Sequence, residues 1–174
     1  MAGHQASNAK TMPLYTAEQK RVRDESVWTL VQGVLAPVQF LVFLVSLGLV
    51  LRYLYTGEDQ SAATTSIVVK TLTLYTIMIT GAIWEKAVFG VDLFAEGFYW
   101  EDMVSMLVLA LHTAYLVALF NELLDTRALM LLALTAYATY VVNAAQFILK
   151  LRAARLQSAA QSMANAGAAM EAAQ

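Results

Sequence analysis

Four long apolar runs divide the chain, roughly Trp28 to Leu51, Thr65 to Trp84, Met103 to Phe120 and Ala128 to Leu149. Each is close to the ~20 residues a helix needs to cross ~30 Å of hydrocarbon. Backbone groups in lipid must be satisfied within their own segment, so runs of this length predict helices. The expected fold is all-α, an integral membrane bundle of four transmembrane helices over residues 28–152. A polar segment, 1–27, precedes the bundle, and an Ala/Gln-rich tail, 153–174, follows it. Pro37 lies inside the first run and should kink that helix. Thr16 with Gln19 fits a capping box, which predicts a short helix through Glu18 to Asp24. The tail reads either as a helical extension or as disordered chain.

Polar residues inside the runs fall in register. Glu101, Ser105, Val108, His112 and Tyr115 alternate spacings of four and three, which puts them on one helical stripe. His112 lies about 16 Å below Glu101, close to mid-membrane. Such a stripe is costly against lipid, so it should face the bundle interior. Gln32, Gln39 and Ser46 on the first helix, Lys70, Thr73, Thr76 and Thr80 on the second, and Thr139, Asn143 and Gln146 on the fourth are its natural partners. The plain reading of the threonines and glutamines is interhelical hydrogen bonding, and of Lys70, snorkelling to the outer interface. His112, with Tyr115 one turn away, divides evenly between packing and function.

A second constellation is the loop expected from Trp84 to Asp102. It interleaves Glu85, Lys86, Asp92, Glu96, Glu101 and Asp102 with Phe89, Phe94, Phe98 and Tyr99. Aromatic faces at an interface could hold a flat apolar ring system, and a carboxyl group kept protonated beside them can act as a general acid. The plain alternative is an aromatic interfacial belt with solvated charges.

Composition narrows the classes. The 174 residues suffice for one domain. With 59% apolar and 14% charged residues, the chain is far from the ~45–50% and ~25% of soluble domains. The absence of cysteine excludes disulfides, thiolate metal sites, iron–sulfur clusters and cysteine nucleophiles. His4 and His112 are too few for an all-histidine metal site. A net charge of -2 with no basic patch argues against nucleic acid. No phosphate-binding glycine loop, paired-histidine zinc motif or nucleophile elbow occurs, and no cofactor is expected. The long first run looks like a retained anchor rather than a cleaved signal. Lys10, Lys20, Arg21, Arg23, Lys86, Lys150, Arg152 and Arg155 would share one face, against Arg52 and Arg127 on the other, which predicts cytoplasmic termini. Trp28, Trp84 and Trp100 would fall on that same face.

As strings, four stretches resemble the 3-vinyl bacteriochlorophyllide hydratases of anoxygenic phototrophs. They are SVWTLVQGVLAPVQFLVFLVSLGLVLRYL from Ser26, SIVVKTLTLYTIMITGAIWEKAVFG from Ser66, FYWEDMVSMLVLALHTAYL from Phe98 and AYATYVVNAAQFILKLR from Ala136. The resemblance covers about Tyr15 to Leu156, and the WEK and HTAYL segments carry most of its specificity. It implies a lyase of bacteriochlorophyll biosynthesis that adds water to the C3 vinyl group of chlorophyllide or 3-vinyl bacteriochlorophyllide. It further implies a magnesium tetrapyrrole substrate and a multi-pass place in the bacterial cytoplasmic membrane, with homo-oligomerisation left open. It brings no catalytic residues with it. On the residues alone, Glu85, Glu101 and Asp102 are the candidate acid and base. Trp84, Trp100, Phe98, Tyr115 and Asn143 are candidates for holding the ring. His112 would either ligate the substrate magnesium axially or bind the water. The competing readings are a non-catalytic pigment carrier or assembly factor, and a small transporter built around Lys70.

Overall fold

A computed structural model describes residues 14–172; His4 and Lys10 lie outside them. Helix α1 (Ala17–Glu25) starts at the expected capping box. Thr16 Oγ1 accepts from the Gln19 N–H at 3.2 Å, and Gln19 Oε1 accepts from the Thr16 N–H at 2.9 Å. Ser26 closes α1 and caps α2 (Val27–Thr56), which runs through Pro37 as one helix. Gly57 and Gly90, at φ +75° and +80°, end α2 and α3 (Gln60–Phe89) in left-handed conformations that cost glycine little. Then come α4 (Tyr99–Phe120) and α5 (Thr126–Ala172).

Helices α2 to α5 are each long and apolar enough to cross a membrane. They overrun the apolar runs at several ends. Helix α3 reaches past Trp84 to Phe89, and α4 begins at Tyr99, so Glu85, Lys86, Glu101 and Asp102 are helical rather than in a loop. The connection shrinks to residues 90–98. Apolar content marks where hydrocarbon begins, whereas the backbone ladder continues wherever side chains permit it. The tail is helical, continuing α5 without a break to Ala172.

Two antiparallel hairpins, α2 with α3 and α4 with α5, make the most extensive packing. Polar links fix their registers. Gln32 Nε2 donates to Thr80 Oγ1 at 2.7 Å, and the Ser46 and Ser66 hydroxyls meet at 2.7 Å. Asn143 Nδ2 donates to Ser105 Oγ at 2.8 Å. Between hairpins, the Tyr75 and Thr113 hydroxyls lie 2.8 Å apart, and Ser46 Oγ lies 2.6 Å from the Tyr137 hydroxyl. These pairs place α1, the start of α2 and the 90–98 connection on one rim, here the terminal rim. Residues 57–59 and 121–125 form the far rim. Val34, Leu41, Val45 and Ile79 face outward, as lipid-facing positions should. Ala63, Ala133 and Ala136 are buried where helices approach closely.

Candidate active site

At the terminal rim, α3 and α4 bring Glu85 and Asp102 together. Both side chains are buried, and the two carboxyl groups interact. The Phe94 N–H donates to Asp102 Oδ2 at 2.9 Å. Phe94 adopts φ +61°, a strained setting for a bulky residue, and that turn aims its N–H at the carboxylate. Glu85 Oε2 finds no donor among the protein groups around it. Neither carboxylate can donate to the other when both are ionised, so direct contact between two such groups requires a shared proton. Glu101, one residue from Asp102, is engaged differently, in an ion pair with Lys150 from α5.

An aromatic cluster shares this rim. Phe98 is buried and sits at 5.8 Å from each of Trp84, Phe89 and Phe147. Tyr15 stacks on Phe89 at 5.6 Å and 19°, and the Arg23 guanidinium lies 4.7 Å from the Tyr15 ring centroid. Burial pushes the Tyr15 phenol up from its ordinary range, against the pull of Arg23. Trp84 Nε1 donates to Thr29 Oγ1 at 2.9 Å, which in turn donates to the Arg23 carbonyl at 2.6 Å. Lys150 Nζ lies 5.2 Å over the Phe98 ring. Leu14 closes over Gly97, where an added Cβ would come within 2.8 Å of Leu14 Cδ1.

A second polar cluster lies at mid-bundle. His112 is buried, its Nδ1 2.8 Å from the Val108 carbonyl oxygen. That oxygen can only accept, so Nδ1 carries the hydrogen and Nε2 of the neutral ring keeps its lone pair. Among the described residues Nε2 has no partner, and neither do Lys70 Nζ, the Tyr115 hydroxyl or either amide atom of Gln39. Lys70 does not snorkel: it is fully buried, with Nζ 3.9 Å over the Tyr140 ring. A π face answers the ammonium without a counter-charge, and the helix continuing to Gln60 leaves the side chain too deep to reach the far rim. His112 and Tyr137 pack with centroids 5.9 Å apart.

Between the two clusters the α3–α4 seam opens outward into a groove of about 300 Å³, lined by Tyr75, Met78, Ile79, Leu109 and Thr113. The same two helices carry Glu85 and Asp102. Tyr75 to Glu85 is ten residues, about 15 Å of rise.

Of the residues singled out from the sequence, Glu85, Asp102, Glu101, Trp84 and Phe98 gather at the terminal rim. His112 and Tyr115 share the mid-bundle, and Asn143 stands between, with Oδ1 unpartnered. Trp100 does not join either group; it is 71% exposed and meets the Tyr99 ring edge-on at 5.6 Å. Sequence reasoning missed Tyr15 and Phe147 as members of the rim, and did not pair Lys150 with Glu101. A register argument could have found Phe147 and Lys150, which continue the Asn143 face of α5 by one and two turns.

Residues 15–153 match the family described as 2-vinyl bacteriochlorophyllide hydratase. A protein of that name from Rhodobacter capsulatus is 60% identical over 154 residues, which are 88% of this chain and 90% of the relative. A second, from Cereibacter sphaeroides, is 64% identical over 144 residues, 82% of this chain and 89% of the relative. No solved structure matches.

Proposed function

Because the chain belongs to the 2-vinyl bacteriochlorophyllide hydratase family, we propose that it adds water to that vinyl group, on C3 in current tetrapyrrole numbering, of chlorophyllide or 3-vinyl bacteriochlorophyllide. The product carries a 1-hydroxyethyl group. The observation that carries the chemical part is the buried Glu85–Asp102 pair at a rim that also holds an aromatic cluster.

The carboxyl that bears the shared proton delivers it to the terminal vinyl carbon. Positive charge develops on the carbon attached to the macrocycle, where the ring delocalises it. Water attacks that carbon, and the other carboxylate takes the proton released, so the pair ends one proton exchange later in its starting state. No electrons pass to or from the substrate. Glu101, neutralised by Lys150, holds α4 to α5 beside the pair and acts as a positioning residue. Phe98, Trp84 and Phe89 supply flat apolar surface for the ring edge and keep bulk water from the cation.

The outward groove on the α3–α4 seam suits lateral access from lipid for a large flat amphipathic substrate. Its distance from the carboxyl pair is comparable with the width of a tetrapyrrole. The bare Nε2 of His112 suits axial ligation of the substrate magnesium. The basic rim residues Lys86, Lys150, Arg152 and Arg155 support a cytoplasmic terminal rim in the inner membrane of the bacterium.

The test is incubation of purified membranes with vinyl chlorophyllide in heavy-oxygen water. A hydratase places the label in the hydroxyethyl product. Tight pigment binding with no label would instead establish a carrier.

A further inference from the structure

Lys70 is a cation that no acid of the chain answers. Its side chain is fully buried, and among the described residues its Nζ has no hydrogen-bond partner. The acidic residues among the described ones lie at the two rims, in α1 or in the extension of α5. Glu58 and Asp59 are at the far rim, and Glu85 and Asp102 at the terminal rim. The π face of Tyr140, 3.9 Å from Nζ, is a weaker partner for an ammonium than a carboxylate is. An ionisable side chain kept inside a membrane bundle marks where a charged group binds. We propose that Lys70 pairs with the free carboxylate of the substrate, and so selects the unesterified tetrapyrrole acid over its ester.

The identity of the ligand rests on the function proposed above. A chlorophyllide or bacteriochlorophyllide is an unesterified acid, and its propionate side chain is ionised near neutral pH. Vinyl group and propionate stand on neighbouring pyrrolic rings of one rigid macrocycle, so holding one places the other. The bundle offers a matching separation. Ser105 is three residues below Asp102 on α4, it meets Asn143 at 2.8 Å, and Tyr140 is three residues further down α5. Those two steps make about 9 Å of rise, and the length of the Tyr140 side chain adds to it. A tetrapyrrole with its vinyl group at the Glu85–Asp102 pair and its propionate at Lys70 spans such a distance.

The other unpartnered atoms suit the same ligand. A carboxylate accepts only, and Lys70 Nζ donates only. Gln39 Nε2 adds a second donor; it stands one turn from Phe43, whose ring meets Tyr140 at 5.0 Å. His112 Nε2 keeps a lone pair, which answers the substrate magnesium and not its carboxylate. The outward groove opens beside this path, since Thr113 lines it and the neighbouring His112 is buried. An ester would bring a carbonyl oxygen to Lys70 but no charge.

Vinyl chlorophyllide and its methyl ester differ in that charge and share ring, vinyl group and magnesium. Titrated into the reconstituted protein and read by pigment absorbance, the acid should bind about tenfold tighter than the ester, the scale of a hydrogen bond to a charged group. Lys70→Met, shown folded by its thermal midpoint, should lose or invert that preference, because a carboxylate beside methionine meets no counter-charge. Equal binding of acid and ester by the unsubstituted protein overturns the proposal without any variant. A Lys70→Met protein that keeps the full preference overturns it as well. The heavy-oxygen label separates this outcome from the reaction. Acid preference without label in the product leaves the Lys70 assignment standing and removes the hydratase reading, whereas label taken up from acid and ester with equal affinity does the reverse.

Discussion

The two buried polar clusters answer their charges in opposite ways. At the terminal rim, acidic groups meet partners: Asp102 takes the Phe94 N–H, Glu101 takes Lys150, and Glu85 interacts with Asp102. At mid-bundle, Lys70, His112, Tyr115 and Gln39 present polar atoms that no protein group satisfies. Buried polar groups left unpaired cost roughly 1–3 kcal/mol each, a cost that a ligand reaching them would relieve. The rim resembles a site set for proton transfer, the mid-bundle one set for holding. That division of labour is what substitution can break.

The largest effect is expected at the carboxyl pair. Glu85→Gln and Asp102→Asn keep the shape but remove one member of the acid–base exchange, and each should lower turnover by about 10²–10⁴-fold. Substrate affinity, read by pigment absorbance on the same folded protein, should change little. Wild-type turnover in both variants would move the chemistry away from the rim and collapse the comparison.

Next in size are the mid-bundle variants. His112→Ala should weaken pigment binding by about tenfold, equivalent to about 1.4 kcal/mol, with turnover at saturating substrate nearly kept. Lys70→Met should do the same while leaving the thermal midpoint unchanged or higher, because an apolar replacement for an unpaired buried cation is often neutral or stabilising. Titration of pigment into reconstituted protein, run beside a saturation curve, separates KM from kcat. A fall in kcat with KM intact would place proton transfer at mid-bundle instead.

This contrast was half visible in the sequence. Hydropathy reveals the four spans because lipid demands apolar surface over a fixed length, and a spacing of three and four reveals the inward stripe from Glu101 to Tyr115. The capping box at Thr16 is legible because both partners are three residues apart. Helix ends are not legible in the same way: Glu85 and Asp102 are charged, yet they continue their helices. Pairings across the bundle are beyond reach of local pattern. Lys150 reads as one of several rim charges until α5 places it against Glu101, and Lys70 reads as a snorkelling lysine until Tyr140 is set beneath it. Tyr15 lies in a polar segment and shows nothing of its stacking on Phe89.

A smaller effect belongs to the ion pair. Glu101→Gln leaves Lys150 over the Phe98 ring without its carboxylate and loosens α4 from α5 at the rim. The pair is only partly screened from solvent, with side chains 27% and 10% exposed, so the expected loss is about 1–3 kcal/mol of stability. Turnover should fall by less than in Glu85→Gln, and a Lys150→Met substitution in the same chain should add little further loss, since the interaction is already gone. Strictly additive losses would mean that the two side chains act independently.

The smallest effect sharpens the boundary of the rim site. Trp84 and Trp100 look equivalent in sequence, each followed by an acidic residue, and both were candidates for holding the ring. In the fold they part: Trp84 packs edge-on against Phe89 and Phe98 and donates to Thr29, whereas Trp100 faces outward. Trp84→Leu removes both the ring wall and the hydrogen bond that ties α3 to the start of α2, so it should impair binding and stability together. Trp100→Leu should leave turnover and pigment affinity within about twofold, as expected for a surface position, with any change confined to how firmly the chain seats in lipid. If Trp100→Leu instead weakens pigment binding as strongly as Trp84→Leu, substrate must also contact the outer face of α4, and the site extends beyond the aromatic wall.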